Sequence, residues 1–355
     1  MPGREDPDWE LSIPELRLPP IEAKKRGRLG SLEPDAIITS IYEALLQRGP
    51  DPEGLQLYSN ELRSGVTLFD ILRKFLESEE FLSLSEFQPG PSFPLDSAPA
   101  MSTQASFSPT ERRAMWDHIA DVWSNFGDTD PFWSVLTEER WRARNMENAA
   151  ILASFYETGE GEVRRLEAWM KRNGLHLGPD AICAEYGCGV GRITHALARR
   201  FNRTVALDIS PPHLEAARSR LFDQGIKNVE FVLVRDEADL DQLAGADLFY
   251  SIIVLQHNPP PIMVDILTHA FAGLNQGGIA FFQIPTYGLD YSFSVEDYWK
   301  NLAQEKTMEM HFLRQKVVLE LGEQHNVILI EIQPDWCVGH AHRWISNTFL
   351  MQKRK

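Results

Sequence analysis

The sequence predicts an α/β protein: a mostly parallel, doubly wound sheet with an antiparallel terminal strand, preceded by a small all-α module. The second half alternates short apolar runs with helix-like stretches, the pattern of a parallel sheet covered on both faces. Its last two runs, "NVILIEIQPD" and "WISNTFLMQ", have no helical stretch between them and should pair antiparallel at the sheet edge. Near the N-terminus, apolar residues recur instead at helical spacing between Pro and Gly breaks.

In chain order, residues 1–32 are charged and Pro-rich and read as a flexible leader. Its basic cluster, Lys24 to Arg28, reads as solvated linker in preference to a lipid or partner contact. Residues 33–85 read as a compact helical module. Ile37, Ile38, Ile41, Leu45 and Leu46 mark its first helix, and Leu55, Tyr58 and Leu62 its second. Leu68, Ile71, Leu72, Phe75 and Leu76 mark the third, with Asp51 and Thr67 as expected caps. Residues 86–108 are dense in Pro and Ser and read as a linker. Residues 109–178 are helical and rich in aromatics, and residues 179–355 carry the sheet. Its expected strands lie in "AICAEYG", "RTVALDIS", "VEFVLVRD", "ADLFYSIIV" and "GGIAFFQIP".

The formal net charge of -16 argues against a general nucleic-acid binder, which needs a basic surface. Cys183, Cys188 and Cys337 form no CxxC pair, which suits a reducing compartment. The N-terminus lacks the basic and apolar regions of a signal peptide, and no apolar run reaches membrane-spanning length. The expectation is a cytoplasmic protein without a transmembrane segment.

The chemistry starts at "AEYGCGVGRITHAL", where Gly187, Gly189 and Gly191 alternate after Glu185. Such a turn lets backbone approach a ligand, either a dinucleotide or S-adenosylmethionine. A dinucleotide turn reads G-x-G-x-x-G/A, with a small third residue for close helix packing. Here Arg192 stands at that third position, and the pattern is acid-x-G-x-G-x-G. Asp208, closing the next strand, suits ribose hydroxyls in either class.

"EYGCGVGRIT", "ALDIS" and "DLFYSIIVLQHNPP" together resemble the first, second and fourth motifs of class I S-adenosylmethionine-dependent methyltransferases, over roughly residues 160–352. The helical module, with "LLQRGPDPEGLQLYSNELRSGVTLFDILRKFLESEEF", resembles a phycobilisome-linker-like bacterial domain of unknown function. Bacterial proteins joining two such parts are associated with surface-polysaccharide synthesis. The first resemblance implies a Rossmann-like fold and S-adenosylmethionine as cofactor. It implies that Glu185, Gly187, Gly189 and Gly191 line the methionine and ribose side, that Asp208 binds the ribose and that Ile209 lies against the adenine. It also implies an acid at the adenine amino group, taken as Asp236, although Arg235 replaces the usual glycine before it.

Methyl transfer demands alignment and exclusion of water, and a hydroxyl acceptor needs a base. His257, just past the fourth strand, is the first candidate, with Gln256 and Asn258 as flanking substrate contacts. Histidine suits the task because its pKa lies near working pH. Glu309 and His311 form a second candidate pair. Tyr287, Tyr291 and Tyr298 are read as sugar-stacking residues or as packing of an irregular cap. Trp116 and Trp123 are expected to pack, whereas the "PFWSV" turn, with Trp133 and Ser134, is expected to fold over the cofactor as a lid. His340, His342 and Cys337 lack a fourth ligand at zinc-like spacing, so no metal is expected.

The expected function is S-adenosylmethionine-dependent O-methylation of a small-molecule or glycan acceptor, the glycan being a bacterial polysaccharide or glycoconjugate precursor. The rivals are an NAD(P)-dependent oxidoreductase, disfavoured by Arg192, and a cofactor-binding scaffold without turnover. Residues 33–85 would recruit a protein partner or make a homo-oligomer.

Overall fold

The structure, a computed structural model, describes residues 33–46, 48–76, 78, 80, 100–104, 107–289, 291–302, 308–335, 337–338 and 344–355. The leader, most of the expected linker, and His340 and His342 lie outside the described residues. The chain divides into two compact units, Met1–Gly90 and Pro91–Lys355.

The first unit holds α1 (Pro34–Leu46), α2 (Pro52–Arg63) and α3 (Leu68–Leu76). Ile38, Ile41, Tyr42, Leu46, Ile71 and Phe75 form its core. Asp51 caps α2 by accepting from the Gly54 N–H at 2.7 Å. Thr67 accepts from the Asp70 N–H at 3.1 Å at the start of α3. Both caps satisfy amide donors that a helix start leaves without partners.

The second unit begins inside the segment read as linker. Its strand β1 (Ser102–Thr103) pairs in parallel with β7 (Ser292–Phe293). Met101 is buried, and its sulfur accepts from the Gly288 N–H at 3.1 Å. The expected boundary at residue 108 is therefore late: Pro and Ser density hid the anchoring of Met101 and of Phe107, which packs on Phe293. Ser108 instead opens α4 (Pro109–Thr129) through a reciprocal capping box with Glu111. Short α5 (Pro131–Val135) and long α6 (Ala149–Arg172) follow.

The sheet strands are β2 (Ile182–Tyr186), β3 (Arg203–Asp208), β4 (Val229–Leu233), β5 (Ala246–Ser251), β6 (Leu274–Gly288), β8 (Val327–Asp335) and β9 (Trp344–Lys353), ordered β4-β3-β2-β5-β6-β9-β8. β2 to β6 pair in parallel, while β9 enters antiparallel between β6 and β8. This is the Rossmann-like class I methyltransferase sheet that the sequence predicts.

Side-chain alternation decides the layers. Ala184, Tyr186, Phe249, Phe282 and Phe349 share one core with α4, α9 (Pro260–Gly273) and α11 (Gln315–Gln324). Cys183, Leu248, Tyr250, Phe281 and Leu350 share the other with α6 and α7 (Thr194–Ala198). Strand order reverses direction at β2, and the carboxyl ends beside such a switch point open a crevice for a ligand. α8 (Pro211–Asp223) and α10 (Val295–Leu302) complete the described helices of this unit.

Candidate functional site

A cleft opens at that switch point. Glu185, Gly187, Cys188 and Gly189 line it after β2, Asp208 and Ile209 after β3, and Ile252, Ile253 and Val254 after β5. Ile119 and Trp123 of α4 and Ser134 and Val135 of α5 line its remaining side.

The glycine turn is fixed by its neighbours. Gly187 has φ 79°, and a Cβ there would lie 2.3 Å from the Val254 methyls. Gly189 has φ 52°, and a Cβ would lie 2.7 Å from Val135 Cγ2, so glycine admits the α5 segment against the turn. Gly191 does not line the cleft; a Cβ there would meet Leu221 and Ala217 of α8. Its place is helix packing, a departure from the expected ligand contact.

Asp208 is buried and bound on both oxygens: Oδ2 accepts from the Gly189 N–H at 2.7 Å and Oδ1 from the Ser210 N–H at 2.9 Å. Each oxygen keeps a lone pair for a hydroxyl donor. Glu185 is buried, and its Oε2 has no hydrogen-bond partner among the described residues. Burial pushes its carboxyl up to about 8. Arg192 is buried and lines the cleft, with Nε also lacking a partner. Ile253 has φ 61°, a strained value for a β-branched residue, and its N–H donates to Gln283 Oε1 at 3.1 Å.

α5 is tied down through His213, which the sequence reading did not single out. Its Nε2 and Ser134 Oγ are 2.8 Å apart, and its Nδ1 and Ser210 Oγ are 2.7 Å apart. Ser134 Oγ donates to the Pro131 carbonyl, so the His213 Nε2–H donates to Ser134 and the Ser210 hydroxyl donates to Nδ1. Ser134 lines the cleft, but Trp133 does not. The Arg142 guanidinium covers the Trp133 ring at 3.7 Å and draws it away. Trp116 packs in the core and Trp123 against it, as expected, and Trp123 also lines the cleft.

Asp236 departs from its expected place. Its carboxylate accepts from Arg113 at 2.9 Å and from the Ala238 N–H, and it does not line the cleft. The ion pair with α4 could not be read from spacing.

His257 departs as well. Asn258 lines the cleft; Gln256 and His257 sit behind it, both buried. The His257 Nδ1–H donates to the Glu309 carbonyl at 2.7 Å, and the Gln256 amide faces Nε2 at 3.2 Å. Burial lowers its pKa to about 4, well below working pH. Gln256 is itself held by Gln283, whose amide donates to its Oε1 at 3.0 Å.

Beyond His257 lies a relay. The His118 and His311 Nε2–H groups donate to the two Glu309 oxygens at 2.8 and 2.7 Å, and the Tyr291 hydroxyl donates to His311 Nδ1 at 2.9 Å. Burial alone would raise the Glu309 carboxyl, but these two histidines win and hold it at about 2. Tyr298 and Trp299 pack edge-on to His118. Tyr291 thus belongs to the relay, and Tyr287 is half-buried. Among the described residues no group of His, Cys, Asp and Glu is arranged to hold a metal. None of the described helices is long and apolar enough to cross a membrane.

Residues 184–278 match the family model of a methyltransferase domain. That segment is an S-adenosylmethionine-dependent methyltransferase domain. Residues 26–85 match a domain of unknown function (DUF4214). The ubiquinone biosynthesis O-methyltransferase of Erwinia tasmaniensis is 32% identical over 164 residues, covering 42% of this chain and 65% of that one. The carboxy-S-adenosyl-L-methionine synthase of Trichlorobacter lovleyi is 31% identical, covering 28% of this chain and 43% of that one. The chain thus spans under half the length of that synthase. A magnesium protoporphyrin IX methyltransferase from Synechocystis, solved with bound SAH, is 15% identical with TM-score 0.47, covering 68% of this chain and 100% of that one.

The methyltransferase domain's cleft fits the cofactor. The orphaned Glu185 oxygen suits a cation, and S-adenosylmethionine carries an ammonium and a sulfonium. A dinucleotide would bring its pyrophosphate to the glycine turn, beside the Glu185 carboxylate, instead.

Proposed function

We propose that the whole chain is an S-adenosylmethionine-dependent methyltransferase acting on an oxygen nucleophile, with a bacterial glycan or glycoconjugate precursor as acceptor. The observation that carries the cofactor half is the presence, in one cleft, of Asp208 tied to the Gly189 turn and of the buried Glu185, whose Oε2 has no hydrogen-bond partner among the described residues. The support for the acceptor half is the relay on the α4 side, where tyrosines and a tryptophan surround a carboxylate held between imidazoles. Aromatic faces suit the apolar faces of sugar rings, and an imidazole suits a hydroxyl proton.

The bound cofactor supplies a methyl group activated by its sulfonium. Asp208 takes the ribose hydroxyls, Glu185 the ammonium, and Ile209 the adenine face. Ser134 and Val135 close over the turn and keep water out. The base is His118 in place of His257. The Glu309 carboxylate holds the His118 Nε2–H, and Nδ1 has no hydrogen-bond partner among the described residues. A carboxylate behind an imidazole fixes its tautomer and stabilises the imidazolium that forms. Ile119, the chain neighbour of His118, lines the cleft, whereas His118, like His257, stands behind the lining. His311 is less free, because Tyr291 occupies its second nitrogen.

The test is transfer of label from methyl-labelled S-adenosylmethionine to a bacterial glycan-precursor fraction, with tRNA as control acceptor. Alkali-stable label in the glycan fraction is expected. Label entering tRNA alone contradicts the acceptor assignment.

A further inference from the structure

Between α6, α7 and α8 the chain gathers positive charge that its own acids do not answer, although its formal net charge is -16. Arg200 meets Glu160 at 2.9 Å and Glu167 at 2.7 Å, and Arg218 meets Glu215 at 3.3 Å. Arg199 and Arg220 have no ion pair and no side-chain hydrogen bond among the described residues. The Arg220 guanidinium lies 4.5 Å from the centre of the Tyr156 ring, and its Nε is buried without a partner.

His195 is the third group. Its ring meets the same Tyr156 ring edge-on, with centres 6.1 Å apart. Its Nδ1 is buried without a hydrogen-bond partner, and the Glu160 carboxylate stands 3.9 Å away, beyond hydrogen-bond reach. The charged groups around the imidazole are Glu160 from α6, Arg199 and Arg200 after the end of α7, and Arg220 from α8. Burial and these three arginines lower its pKa, against Glu160. Like charges held together repel, and buried donors without acceptors are costly. A bound oxyanion relieves both. The floor for it is fixed, because Tyr156 is buried and donates its hydroxyl to the Val190 carbonyl at 3.0 Å.

We infer that His195, Arg199 and Arg220 form a binding site for a phosphate group against the Tyr156 ring. None of the three lines the cleft that holds Glu185 and Asp208, so the site is a separate one. Guanidinium groups match the oxygens of a phosphate. Three donor side chains suit a doubly charged ion with more than two acceptor oxygens, so a phosphate fits better than a carboxylate. The bound ion draws a proton onto His195, which then donates from both nitrogens.

Calorimetry on the full chain tests this with sulfate, inorganic phosphate, glucose 1-phosphate and acetate, at fixed ionic strength in chloride. Sulfate does not titrate near neutral pH, so its binding reports the protein's own proton uptake. Saturable one-to-one binding of sulfate and phosphate is expected, with dissociation constants of about 1 mM or below and acetate at least about tenfold weaker. Sulfate affinity should rise as pH falls from about 8 to about 6, with a binding heat that depends on buffer ionisation. Arg220→Met keeps an apolar stem over Tyr156 and should weaken sulfate at least about tenfold. His195→Gln should abolish the proton uptake. Arg218→Met, which removes an ion-paired arginine of the same helix, should change nothing. Tighter glucose 1-phosphate than inorganic phosphate names an esterified phosphate as the ligand, and the reverse names a free one; either supports the site. Should Arg220→Met fail to fold, Arg199→Gln at its exposed position decides. No saturable binding of sulfate or phosphate by the wild type overturns the inference. So do acetate binding as tight as sulfate's, undiminished binding in Arg220→Met, and an equal loss in Arg218→Met.

Discussion

The Gly189 N–H donates to Asp208 Oδ2 at 2.7 Å, joining the turn after β2 to the end of β3. The two residues stand far apart in the chain, yet each fixes the other. Asp208→Ala would strip the acceptor from two amides, those of Gly189 and Ser210. An unsatisfied buried donor costs about 1–3 kcal/mol, so a loss of about 2–4 kcal/mol in chemical unfolding is expected, together with cofactor affinity at least tenfold weaker. Unchanged affinity in a folded Asp208→Ala protein would remove this residue from the site.

Glu185 makes binding depend on pH. Its carboxyl titrates at about 8 in the ligand-free protein, raised by burial. Below that pH it is neutral, and a bound ammonium requires it ionised. Affinity for S-adenosylhomocysteine should therefore rise with pH, by up to about tenfold per unit, and level off near 8. Binding at pH 7 should release a proton, seen as a dependence of calorimetric heat on buffer ionisation. The ligand-free protein shows the opposite trend. A raised acid contributes stability that is complete below the unfolded pKa and lost as pH rises through the folded one, here from about 4.3 to 8. Glu185→Gln should flatten both profiles.

These two residues were legible in the sequence because a strand, a turn and an acid at fixed spacing are local features. The mostly parallel sheet, the terminal antiparallel pair and the glycine turn were legible from such local patterns, whereas the strand order was not. Partners brought by distant elements were not. Asp236 is taken up by Arg113, Trp133 by Arg142, and His118 meets Glu309 across a long stretch of chain. His257 was placed correctly past β5, but its position gave no hint that burial would depress its basicity to about 4. Arg192 was visible only as a misfit to a dinucleotide turn; its burial without a counter-ion needed the structure.

Gly187 is held by conformation and by contact at once. Gly187→Ala puts a side chain at φ 79° and 2.3 Å from Val254. Loss of cofactor binding and a lower melting temperature are expected. Val254→Ala added to it should relieve the contact but not the backbone strain, so recovery should be partial. Full recovery would show that contact alone demands glycine.

The relay separates catalysis from binding. His118→Ala and Glu309→Gln should leave S-adenosylhomocysteine affinity near wild type. They should slow methyl transfer to a glycan-precursor fraction by about 10²–10⁴-fold, the usual cost of losing a general base. His257→Asn, which can keep a donor toward the Glu309 carbonyl, should cost much less. A larger loss in His257→Asn than in His118→Ala would return the base to His257.

Every residue lining the cleft lies in the unit Pro91–Lys355. A chain shortened to residues 91–355 should bind the cofactor as the full chain does. One starting at Ser108 loses β1 and the Met101 contact, and should melt at a lower temperature. Equal melting temperatures for the two would show that β1 adds nothing.

The cleft that holds Glu185 and Asp208 is built for S-adenosylmethionine. Calorimetric titration of the full chain with S-adenosylhomocysteine and, separately, with NAD⁺ tests it most directly. The expected result is saturable one-to-one binding of S-adenosylhomocysteine that Asp208→Ala weakens, with no heat of binding from NAD⁺. Saturable binding of NAD⁺ with none of S-adenosylhomocysteine would contradict it.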